Sequence, residues 1–206
     1  FTNVGTQICG LGSQESMVRR VARETSFYPV MFGHVMLLTL GTGILLVLAG
    51  IAALPFMMSL PPGEMPSLVA IALLLITNIL LVKLVGVATA AYIAHSNFAA
   101  ANLIEVIFAL VRAGTAILAC LFFGVKTVEH WADWMFVSHA ALAAVCLVLM
   151  WRMGRPVLRI VREEIPIGTL FSTQFIFKAV RAPPARPSIV SGPSVDLGGR
   201  RIIKKK

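Results

Sequence analysis

Hydrophobic side chains make up 58% of the 206 residues and charged ones only 13%, about half the charged share of an ordinary soluble domain, and the mean hydropathy is +0.87. The formal net charge of +9 is unevenly placed: residues 29–151 hold three basic and four acidic side chains, and the excess sits before, after and in the tail. This excludes a basic nucleic-acid face with interleaved aromatics and fits a membrane protein whose charge lies at the ends of its spans.

Residues 1–28 read as a partial helix and a cytoplasmic loop. Residues 1–17 are too polar and too short to span. Gly10-Leu11-Gly12 is followed by Glu15 where a dinucleotide fingerprint needs its third glycine, and no strand precedes it, so that motif carries no weight. Arg19, Arg20 and Arg23 stand just ahead of the first span, where a positive-inside signal accounts for them. The chain opens on Phe1 with no readable signal peptide, and is expected to be an internal piece of something longer. Cys9, Cys120 and Cys146 are widely spaced, form no CxxC pair, and read as small hydrophobes.

Residues 29–151 should form four transmembrane helices, near 31–58, 67–93, 103–124 and 134–151, each long enough for a hydrocarbon core of ~30 Å. Pro55 should break the first near its end, and Pro61-Pro62-Gly63 should turn the chain. His95-Ser96-Asn97 should return the second span into the third as an antiparallel neighbour. Trp131 and Trp134 fit an interfacial belt. His130 and Asp133 read as solvated loop residues rather than metal ligands, and His139 as a buried histidine bonded to a neighbouring helix. Seven arginines flank the outer ends of the four spans, whereas the opposite loops carry only Lys126. Both ends are therefore expected on the cytoplasmic side.

Two cations lie inside the spans. Counted from the turn, Lys83 and Arg112 both come out roughly 14 Å inside the same face, and snorkelling reaches only part of that depth. Glu105 shares a helical stripe with Asn102, Arg112 and Thr115. Lys83 shares a face with Gly86, Ala90 and Ala94, a small-residue ridge for close helix approach. One reading is an interhelical ion pair, such as Lys83 with Glu105, that only fixes packing. The other is an anion site, favoured because two cations against one carboxylate leave a positive surplus. The candidate substrate-binding residues are thus Lys83, Arg112 and Glu105, with no catalytic residue, metal set or cofactor expected.

Residues 152–182 should continue as a cytoplasmic amphipathic segment, helical over Val157–Glu164, and then begin a further helix. Residues 183–206, rich in proline and basic residues, should form a disordered tail.

Three stretches resemble the polysaccharide (O-antigen type) flippases of the multidrug/oligosaccharidyl-lipid/polysaccharide exporter superfamily. Residues 12–23 are similar to the segment joining that family's second and third helices. Ala94–Phe98, Asn102–Glu105 and Arg112 resemble its fourth-to-fifth connection and intramembrane arginine. Arg162–Phe177 resembles the approach to its seventh helix. The resemblance implies an all-α polytopic membrane bundle, a partial N-terminal lobe whose four spans correspond to helices three to six. It further implies a cationic cavity for a lipid-linked oligosaccharide of the undecaprenyl-pyrophosphate type, a bacterial inner-membrane location, and glycan polymerase machinery as a partner. Competing expectations are a small integral-membrane enzyme of lipid-linked sugar metabolism, for which no surface acidic or histidine cluster is present, and a non-functional truncated remnant. A multidrug cation exporter should prefer acidic cavities.

Overall fold

The computed structural model describes residues 8–57, 66–125, 127–166, 168–170 and 173. The chain is an all-α bundle, with no strand among the described residues. A short helix, α1 (Ser13–Arg23), precedes four long ones: α2 (Tyr28–Met57), α3 (Leu68–Ala94), α4 (Phe98–Leu121) and α5 (Val128–Met153). All four long helices are long and apolar enough to cross a membrane, so the chain is a multi-pass membrane protein.

Local chemistry sets the boundaries. Ser67, Asn97 and Thr127 accept hydrogen bonds from the backbone N–H groups of Ala70, Ala100 and His130, capping α3, α4 and α5. Pro29 falls in the first turn of α2, where its missing N–H leaves no bond unmade. The cap at Asn97 starts α4 five residues earlier than the apolar run at Leu103. Lys83 therefore lies about 16 Å from the turn and Arg112 about 21 Å, so the two do not share a level. Pro55 does not stop α2, which runs on to Met57.

Both α3 and α4 contain a π-helical stretch, Ile76–Leu81 and Leu118–Phe122. In the first, Thr77 Oγ1 and Asn78 Nδ2 donate to the carbonyls of Leu73 and Leu74, satisfying acceptors that the wider turn frees. This shift in winding changes which side chains share a face, so strict 3.6-residue counting across it fails.

The start of α2, the α3–α4 turn and the end of α5 meet at one face of the bundle. Tyr28 donates its hydroxyl to the Met150 carbonyl at 3.1 Å, and its ring packs edge-on to His95 at 4.9 Å. After Met153 the chain does not continue as an amphipathic helix. Gly154 is extended and Pro156 disfavours helix in the residue before it, so residues 154–161 form a strap across the bundle end. Val157 N–H donates to the Pro29 carbonyl at 2.9 Å. The strap seats against Gly33, where any β-carbon would run into the Val157 backbone. The expected tail, 183–206, and the turn at Pro61–Gly63 lie outside the described residues.

Candidate functional site

The buried apolar side chains fall into two clusters. One gathers Met17, Val21, Phe32, Val35, Val85 and the alanines of α3 near the strap. The other gathers Cys9, Val47, Ile71, Leu75 and Ile79. Between Val35 and Val47 on α2 lies Thr39, and between Ile79 and Val85 on α3 lies Lys83. A polar layer separates the two cores.

Non-helical backbone enters this layer. Gly10, Leu11 and Gly12 all have positive φ, at 80°, 48° and 69°, and the turn they form is fixed to α2. Gly10 N–H donates to Thr42 Oγ1 at 2.7 Å, and Cys9 Sγ contacts the Thr39 carbonyl at 3.6 Å. Irregular backbone at membrane depth is tolerated only where protein encloses it, and Cys9 is completely buried. From this turn α1 runs outward, its N-terminus without a side-chain cap.

The Cα of Gly10 opens on three groups. A β-carbon there would lie 3.0 Å from Thr39 Oγ1, 3.3 Å from Ser13 Oγ and 3.6 Å from Lys83 Cε. Gln14 Nε2 donates to the Lys83 carbonyl at 3.3 Å, so the face carrying Lys83 and Gly86 packs on α1 rather than on another span. Ser13 Oγ, Ser16 Oγ, Thr39 Oγ1 and Glu15 Oε2 are buried with no hydrogen-bond partner among the described residues. Glu15 supplies the opposing charge nearest in effect to Lys83, without a direct ion pair between them among the described residues. Half-buried Lys83 thus sits with unpartnered hydroxyls and the positive end of a helix dipole. Lys83, the hydroxyls and the helix N-terminus supply donors for an anion's oxygens, against the opposing charge of Glu15.

Arg112 and Glu105 lie elsewhere, exposed on the flank of α4. Glu105 accepts a hydrogen bond from Thr89 Oγ1 at 3.0 Å. It does not pair with Lys83, so the interhelical ion pair is not formed. Arg112 sits one turn beyond Phe108, whose ring meets that of His139 edge-on at 5.6 Å. His139 is buried as expected, but its Nδ1 donates to Met135 of its own helix rather than to a neighbour. The described residues therefore place Lys83 inside the bundle and Arg112 with Glu105 on its outside.

Sequence reasoning missed a second buried polar group. Glu164, 3% exposed, takes Arg19 Nη2 at 2.8 Å on one oxygen and Arg20 Nη1 at 3.1 Å on the other. The arginines read as a topology signal thus also clamp the strap, and Val161 N–H donates to His34 Nδ1 at 3.1 Å beside them. The one available signal was an acid among arginines. Among the described residues no group of three His, Cys, Asp or Glu is placed to hold a metal. Comparison with family models, curated proteins and solved structures finds no match.

Proposed function

We propose that this chain is part of a membrane exporter that moves a lipid-linked oligosaccharide across the bacterial inner membrane for polysaccharide assembly. The observation that carries the reading is the polar layer: a lysine, an uncapped helix N-terminus and unpartnered hydroxyls enclosed between two apolar cores. Discontinuous helices that aim their N-termini at anionic groups are a recurring way to hold substrate within a membrane. In this reading Lys83 and the α1 N-terminus bind diphosphate oxygens. Arg112 offers a bidentate fork to phosphate from the outer flank of α4, and Glu105 accepts from sugar hydroxyls there. The motif resemblance at 12–23, 94–112 and 162–177 supports the same substrate class.

The test is surface glycan in cells carrying substituted chains, normalised to the amount of the protein in the membrane. Lys83→Met and Arg112→Ala should abolish export with the protein still inserted. Arg112→Lys should impair it despite retaining charge, because the fork is lost. Normal export by both Lys83→Met and Arg112→Ala at unchanged abundance would remove the reading.

A further inference from the structure

At the bundle end, the strap roofs a cleft of about 540 Å³. Its walls carry Arg20, Arg159 and Arg162 beside Phe27, Met31 and Val161, with Glu163 the single acid. Arg20 is partly committed, to Glu164 and to the ring of Phe27 4.7 Å from its guanidinium carbon. Arg159 and Arg162 are exposed and make no ion pair among the described residues. The lining thus keeps a net charge of +2, three arginines less one glutamate.

The surroundings of this cleft are apolar. Leu158 is 71% exposed, and Val157 and Ile160 on the same strap are exposed too, alternating with the arginines. Trp151 is exposed at the end of α5, at the depth where tryptophans mark a membrane interface. A water-facing anion site has no use for an exposed leucine beside it. An interfacial strap does: its aliphatic side chains enter acyl chains while its guanidinium groups stay at headgroup level.

We propose that the cleft of Arg20, Arg159 and Arg162 binds the phosphate headgroup of an anionic bilayer lipid, pinning the strap to the membrane surface. Basic pockets at the cytoplasmic ends of spans suit such headgroups. The site is separate from the Lys83 layer and requires only that the chain spans a membrane, so it stands or falls independently of the transported substrate.

The experiment uses the purified full chain, delipidated in detergent and titrated with phosphatidylglycerol or phosphatidylcholine of matched acyl chains, with bound lipid counted by native mass spectrometry. Phosphatidylglycerol should bind the tighter by about tenfold or more. Arg159→Gln with Arg162→Gln should weaken it by about 30-fold, whereas Arg159→Lys with Arg162→Lys should keep most of the preference. The pair Arg152→Gln with Arg155→Gln removes equal charge outside the cleft and should change binding less than about threefold. An equal loss in that control pair would show general charge attraction and overturn the proposal. Displacement of the lipid by millimolar inorganic phosphate would overturn it as well, since the cleft would then be a soluble-anion site. All four arginines are exposed, so the variants keep the packing of the bundle.

Discussion

The clamp at Glu164 and the layer at Lys83 are both buried polar regions, and they differ in saturation. Each oxygen of Glu164 has its own arginine. The Lys83 layer leaves four buried atoms, on Ser13, Glu15, Ser16 and Thr39, without a partner among the described residues. A saturated buried charge fixes geometry, because removing either side strands the other. Unpartnered groups cost folding free energy, so the layer stabilises the fold less than the clamp does.

Four substitutions break or sharpen this contrast. Gly33→Ala should act most strongly, because the new methyl group meets the Val157 carbonyl and the strap must lift. A loss of about 3 kcal/mol is expected, read as a lower unfolding temperature in detergent and faster tryptic cleavage at Arg159. Glu164→Gln should cost about 2 kcal/mol by the same measurement, less than a fully enclosed pair because the arginines are over a third exposed. Gly10→Ala should cost about 1–2 kcal/mol, from its left-handed backbone and the close approach of Thr39. Thr39→Val should change stability by less than about 1 kcal/mol in either direction, since it deletes a hydroxyl that nothing among the described residues satisfies. It should nevertheless lower export per inserted protein. If Thr39→Val destabilised as much as Glu164→Gln, the contrast would fail.

The four spans were legible because hydropathy and length leave few alternatives for runs such as Leu68–Ala94. Lys83 and Arg112 were legible as unusual, since intramembrane cations are rare. What their faces meet was not, because it depends on distant parts of the chain: the Lys83 face packs on α1 and Arg112 is exposed on the flank of α4. Their levels were misjudged because Asn97 starts α4 ahead of its apolar run. The strap escaped notice for another reason. Arginines at 155, 159 and 162 match a helical period, and only Gly154 and Pro156 together argue for extended chain. The partnership of Arg19 and Arg20 with Glu164 spans more than 140 positions, a separation that local pattern cannot bridge. The turn at Gly10–Gly12 had glycines as its signal, yet its depth follows only from contacts with Thr39 and Thr42.

The most direct test of the Lys83 layer is photo-crosslinking to a radiolabelled lipid-linked oligosaccharide in membrane vesicles. Benzoyl-phenylalanine replaces Gln14, beside Lys83, or Leu110, 65% exposed on the outer side of α4. Capture at position 14, reduced about tenfold or more by Lys83→Met, is the predicted result. Capture confined to position 110, or capture at position 14 that Lys83→Met leaves unchanged, would contradict it.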